Sequence, residues 1–224
     1  PSHVIELFKT KGGYMRSKSM SSFLVAFVLA CSIATVVAQD QAPAPSFKEG
    51  DTWQFNFARK GGITSSTELN DGLYELTFIN GQVKPFSIDG NQKSEILVLP
   101  DGPSQGLLAQ LGKSQGRENL KFPLAVGQKW TYQYQTKAPG ARRASTISAE
   151  VNVLGVEQVT TAAGSFKAYK LVRTQSAGGQ SNINTITYFY SPETRSIVKS
   201  SSLSEGRNPS TAVEIELIKF APGR

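Results

Sequence analysis

Eight aromatic side chains fall in runs that could build a binding surface. Trp53, Phe55 and Phe57 alternate with polar residues, as do Trp130, Tyr132 and Tyr134, while Tyr188 and Tyr190 flank Phe189. In an extended strand, period two places each such run on one face. A face of that kind can line a groove for an apolar or sugar-like ligand. It can equally be ordinary core between a curved sheet and whatever covers it. Trp53, Phe55, Trp130, Tyr132, Tyr134, Tyr188 and Tyr190 are therefore the candidate ligand-binding residues. Tyr132 and Tyr134 suit a rim, because a phenolic hydroxyl needs a polar partner.

Two further sets offer chemistry. Glu214 and Glu216 share a strand face, and paired carboxylates cleave glycosides when they flank the bond at a defined separation. Here Val213, Ile215 and Leu217 alternate with them, which makes the Glu face the solvated side of an amphipathic strand. Lys137, Arg142 and Arg143 surround Pro139-Gly140 in a loop. Basic groups there either bind an anionic lipid or polymer or stay solvated.

Other chemistry is excluded by position. The one His is His3 and the one Cys is Cys31, and both precede Ala38, as do Met15 and Met20. From Gln39 onward the chain has no His, Cys or Met. It cannot carry a Ser-His-Asp or Cys-His nucleophile, a thiol redox pair, or a zinc site built from nitrogen and sulfur ligands. No catalytic residue, metal ligand or cofactor is expected, and a carboxylate-only hydrolase is the one enzymatic alternative left. No disulfide can form, so a packed core must hold the fold.

The start of the chain reads as a leader. Pro1 is not an initiation residue, and residues 1–14 read as an upstream extension. Met15, the basic Arg16 and Lys18, the apolar run Ser22–Ala38 and the small residues ending at Ala38 form a secretory signal peptide over 15–38. The apolar run is at the short limit for spanning a bilayer, and no basic stop-transfer cluster follows it. An alternative is Val28-Leu29-Ala30-Cys31, a lipobox-like run that would lipidate Cys31. Cleavage after Ala38 implies export to the periplasm or beyond. Lipidation of Cys31 implies an outer-membrane lipoprotein, and only then is a membrane a partner. Four basic residues (Lys9, Lys11, Arg16, Lys18) and one acidic residue (Glu6) precede Gln39, so cleavage lowers the net charge from +7 to +4. A mild charge without a clustered basic face does not suggest nucleic acid.

Residues 39–46 form a Pro/Ala linker, expected to be extended and mobile. Strand signals then follow over 51–57, 63–69, 73–79, 82–87 and 95–99. After an interruption at 100–121 they resume over 129–134, 145–160, 166–173, 183–190, 196–201 and 212–220. Leu107, Leu108 and Leu111 have the spacing of one short helix face. Asn80-Gly81 suits a type I′ hairpin turn, Pro85 an edge or bulge, and Gly155 a bend. Gly precedes Trp by three residues in both Gly50–Trp53 and Gly127–Trp130, which suggests two related strand units, 47–120 and 121–220, in one β domain over 47–224. The expected fold is all-β: a curved antiparallel meander or half-barrel of about eleven strands, with one short helix or loop covering it.

Three pieces together resemble a known family. They are Phe122-Pro123-Leu124-Ala125-Val126-Gly127-Gln128-Lys129-Trp130, the run Ala163–Leu171, and Tyr188-Phe189-Tyr190-Ser191-Pro192-Glu193 followed by Ile197-Val198-Lys199. Their order and spacing, over roughly 120–203, are similar to bacterial secreted β-proteins of the domain-of-unknown-function 3108-like family. Phe189 stands where that pattern has Trp. The resemblance implies an envelope location and a curved antiparallel sheet like that of periplasmic lipoprotein carriers. It implies no activity and no catalytic residue. The leading expectation is a non-enzymatic envelope protein that binds a lipid, a glycan or an envelope protein through its aromatic face. A structural or interaction module with a self-filled core is the alternative.

Intact-mass spectrometry of the exported protein should return a chain that begins at Gln39. A lipid-modified Cys31 terminus would reverse that assignment.

Overall fold

Alternating polar and apolar residues produce ten β-strands in a single open antiparallel sheet. In chain order they are β1 Thr52–Lys60, β2 Gly72–Ile79, β3 Gln82–Asp89, β4 Gln92–Glu95, β5 Lys129–Thr136, β6 Ser145–Thr161, β7 Gly164–Ala177, β8 Ile183–Ser191, β9 Ser196–Ser204 and β10 Ala212–Ala221. One short helix, α1 Ser104–Leu108, runs into a 3-10 turn at Ala109–Leu111. The computed structural model describes residues 41–60, 69–99, 104–114, 116–136, 142–177, 183–204 and 212–224. The leader over 15–38, Cys31, Ala38, Gln39, most of the expected 63–69 strand and the loop tip at Lys137 lie outside the described residues. Residues Ala38–Arg224 make up one compact unit. The all-β class, the open curved sheet and the single short helix are as the sequence predicts.

The strand order is β4-β3-β2-β1-β10-β9-β8-β7-β6-β5. Two meanders, β1–β4 and β5–β10, are thus joined where β1 pairs with β10. The long β6–β7 hairpin shifts register between Val153 and Gly155, the bend that Gly155 suggested. Its tip reaches β10, where Ala162 N–H donates to Glu216 Oε1 at 2.8 Å and Ala163 N–H to the Leu217 carbonyl at 3.4 Å. The sheet therefore curls without closing.

Turn chemistry sets the local geometry. Asn80 and Gly81 both have positive φ, 52° and 76°, as a type I′ turn requires. Pro85 lies just beyond the last β3–β4 pair, Phe86–Glu95, where its missing N–H leaves the ladder without its next bond. One strand differs from expectation. The apolar run Ile96–Leu99 is not a strand. Ladder pairing stops at Glu95, because the next partner is Pro85, which accepts from Ile96 N–H at 2.8 Å but has no N–H to return, and Leu97 is left 73% exposed. Here Pro85, not the apolar run, decides where pairing ends.

The two Trp strands open in the same way. Lys48–Asp51 and Ala125–Gln128 are both hydrogen-bonded four-residue turns, each with its glycine at φ 84°. In each, the side chain of the fourth residue accepts from the first residue's N–H: Asp51 Oδ2 from Lys48 at 2.6 Å, Gln128 Oε1 from Ala125 at 3.2 Å. In each, the glycine N–H and the next residue's carbonyl grip one residue of the neighbouring strand, Phe78 or Val153. The glycine supplies a backbone conformation that other residues enter at a cost. Trp53 and Trp130 are both buried, and each indole N–H donates to a backbone carbonyl at 2.7 Å, of Thr194 and Glu118 respectively.

One residue of the linker is held against the segment before β5. Ala42 is buried and exchanges two backbone bonds with Leu124, at 2.9 and 2.8 Å. Pairing with the segment that leads into β5 supplies the partners that a free linker would take from water.

The packed indole sets a test. Trp130→Ala should lower unfolding stability by about 3–5 kcal/mol in denaturant titration. A near-neutral result would assign Trp130 to ligand contact instead of core.

Candidate functional site

Most of the candidate aromatic residues are core. Trp53 and Phe55 pack with Leu76, Leu107, Leu111 and Leu217, while Trp130, Tyr188 and Tyr190 pack with Val151, Leu171 and Ile197. All five are buried. Only Tyr132 and Tyr134 keep partial exposure, with rings stacked 6.1 Å apart. The structure thus splits the candidate set into a filled interior and a two-tyrosine rim.

The cover explains the filling. Leu107, Leu108 and Leu111 of the helical segment are buried against the sheet. The connector that follows brings Glu118 and Asn119 against Trp130 and Tyr132. The described part of 104–121 therefore covers Trp53, Phe55 and Trp130, while a groove of about 720 Å³ stays open at its side, lined by Phe78, Val83, Val98, Gln105, Leu108 and Lys113 among others.

A small chamber of about 130 Å³, with Arg117, Asn119 and Arg173 in its otherwise largely apolar wall, remains between this cover and the sheet. It is built by cross-strand register. Trp130, Val151, Arg173, Ile186, Ser202 and Val213 occupy one row across six strands. In the next row Leu171, Tyr188, Ser200 and Ile215 follow suit. Arg173 thus takes the inward position that period two assigns after Tyr169 and Leu171. Gln110 and Asn119 face it from the cover, and Arg117 completes the lining.

Arg173 is 4% exposed. Its Nη1 donates to Asn119 Oδ1 at 2.6 Å and to the Tyr132 hydroxyl at 3.3 Å. The Tyr132 hydroxyl itself donates to Asn119 Oδ1 at 2.6 Å. The guanidinium lies 5.6 Å from the centre of the Tyr188 ring. Its Nε has no partner, and neither does the buried Gln110 Oε1. None of the described ion pairs includes Arg173.

The phenols cannot neutralise it. Burial pushes the Tyr188 hydroxyl up to about 12, against the opposing pull of Arg173. Burial also raises Tyr132, with Arg173 again opposing. Both stay protonated at physiological pH. Arg117 adds a second cation, stacked 4.8 Å from the Tyr134 ring centre, and Tyr134 in turn donates to Gln175 at 3.0 Å.

Other buried charges are paired. Asp51, fully buried, accepts from Arg195 at 2.7 Å and from the Lys48 and Gly223 N–H groups. Glu75 accepts from Gln54, Thr77 and Lys93. Burial raises its pKa, but those three hydrogen bonds outweigh burial and hold it below the ordinary carboxylate range. Arg173 stands apart from both.

No protein-family model matches the chain, and neither does any curated protein. Among solved structures it is similar to the hypothetical lipoprotein YmcC of Escherichia coli, with a TM-score of 0.44 and 14% identity over 76% of this chain and 85% of that one. A lipoprotein of Parabacteroides distasonis gives 0.41 and 12% over 82% and 100%. An exported Bacteroides fragilis protein with a YmcC-like fold gives 0.38 and 12% over 80% and 99%. At TM-scores below 0.5, site and function must be argued from this chain alone.

Glu214 and Glu216 do not converge. Glu214 pairs loosely with Lys60 at 3.7 Å, and Glu216 receives the Ala162 N–H. Arg142 and Arg143 are exposed. Among the described residues no three His, Cys, Asp or Glu side chains gather as metal ligands. Sequence reading missed Arg173, although a charged residue at an inward register position was a visible signal. Asn119, in a polar connector, carried none.

Asn119→Ala removes the acceptor shared by Arg173 and Tyr132. It should cost about 2–4 kcal/mol in chemical unfolding, more than a neutral hydrogen bond, because a buried cation loses its partner.

Proposed function

We propose that this is an exported, non-enzymatic binding protein of the cell envelope. Its ligand places a polar group in the chamber beside Arg173 and lies with its remaining body along Tyr132 and Tyr134. One observation carries the reading: a nine-tenths buried guanidinium, in none of the described ion pairs, that lines a small chamber between the cover and the sheet. A buried charge is stable only when paired or fully hydrogen-bonded. A ligand is the natural source of the missing partner. The leader signature over 15–38 and the likeness of 120–203 to secreted 3108-like proteins support export. Among the described residues no helix is long and apolar enough to cross a membrane.

The ligand expected from the aromatic set, apolar or glycan, is narrowed by this geometry. Trp53, Phe55, Trp130, Tyr188 and Tyr190 are used as core, so recognition falls to the chamber and the tyrosine rim. A second reading, a structural or interaction module with a self-filled core, draws on the same burial and on the well-packed helical cover.

Native mass spectrometry separates the two. Protein purified without denaturation from the cells that export it should carry a bound small molecule. A chain of bare polypeptide mass under those conditions would reject the binding reading in favour of the self-filled module.

A further inference from the structure

Resting on that reading, we propose that the chamber beside Arg173 binds an oxyanion, a carboxylate or phosphate group, through the guanidinium. Arg173 Nη1 is committed to Asn119 and Tyr132, which fixes the orientation of the planar group. Arg173 lines the chamber, and a guanidinium is the side chain best matched to the oxygens of a carboxylate or phosphate.

The electrostatics favour an anion over a neutral polar group. Two cations, Arg173 and Arg117, line the chamber, and no carboxylate does. The low dielectric around a buried guanidinium strengthens its attraction for a counter-charge. The size also fits. About 130 Å³ admits one such group with a short stem, but not a sugar chain or an acyl tail. Asn119, Tyr132 and Ser200 are neutral hydrogen-bonding groups, which anchor the cation and the anion without competing in charge.

The test uses the full chain, dialysed into chloride buffer at constant ionic strength. Its thermal midpoint is measured as inorganic phosphate or acetate replaces chloride. The wild-type midpoint should rise by about 2–4 °C or more and then level off slowly with concentration, as linkage to a binding site requires. Arg173→Met should show no such rise. Gln110→Glu provides a second variant, in case the first does not fold. It sets a carboxylate on the chamber wall, so its midpoint should rise without added anion and lose the phosphate and acetate response. A flat wild-type response, or an equal rise in Arg173→Met, would overturn the proposal.

Flotation with phosphatidylglycerol or phosphatidylcholine vesicles separates the two sources of a phosphate group. Arg173-dependent recovery with phosphatidylglycerol alone assigns a lipid headgroup. A response to inorganic phosphate without flotation assigns a free anion. If a neutral molecule co-purifies with wild type and is lost in Arg173→Met, the binding reading stands and the oxyanion assignment falls.

Discussion

The chain leaves its sheet at one edge and must re-enter at the other. β4 is one outer strand and β5 the opposite one, and residues 96–128 connect them. The remaining strands are hairpin neighbours, so this connector alone has to travel the full width. The one helical segment among the described residues lies within it and is buried against the inner face. Most of the interior follows from that route. Leu107, Leu108 and Leu111 fill the space over Trp53 and Phe55, while Asn119 arrives beside Arg173. A continuous meander of the same strands would need no such crossing and would leave its aromatic face to water or to a partner.

Two anchors hold the re-entry. Gly127 and Gln128 lock the start of β5 to Val153, as Gly50 and Asp51 lock β1 to Phe78. The anchors differ in charge. Gln128 is neutral and local. Asp51 is a buried carboxylate that binds the Arg195 guanidinium from the β8–β9 turn and the backbone at Gly223. Three distant stretches of chain therefore converge on one residue. Removing one partner of a buried ion pair strands the other, so the closure of β1 against β10 depends on Asp51 more than on any single ladder bond.

Much of this was legible, for identifiable reasons. Period-two alternation gave the strands, and residues with positive φ gave the turns at Asn80-Gly81 and before both Trp strands. The repeated Gly-x-x-Trp spacing was visible because the turn and the first inward residue are separated by a fixed backbone path. Two things were hidden. The pairing of β1 with β10 is a contact between chain ends, and no local pattern encodes it. The fate of the aromatic face depended on where the connector lies, and a polar stretch such as 112–121 carries no period that places it. The strand expected at 95–99 failed for a related reason: its apolar residues were a true signal of hydrophobicity but not of pairing, which ends where Pro85 has no N–H to offer Ile96.

The inward position of Arg173 is hard to account for by packing alone. Its neighbours in the row are Val151 and Ile186, and a Leu or Met would continue that surface without burying a charge. Hydrophobic replacement of buried ionic groups is often neutral or stabilising. A purely structural role would require that the guanidinium be fully satisfied, since specificity gained from a polar network depends on every member being bonded. That condition is met on one side only. Nη1 ties the connector to the sheet through Asn119 and Tyr132, and this bond explains why the cover sits in one register. Nε has no partner within the fold, so hydrogen bonding inside the chain accounts for the bonded side alone.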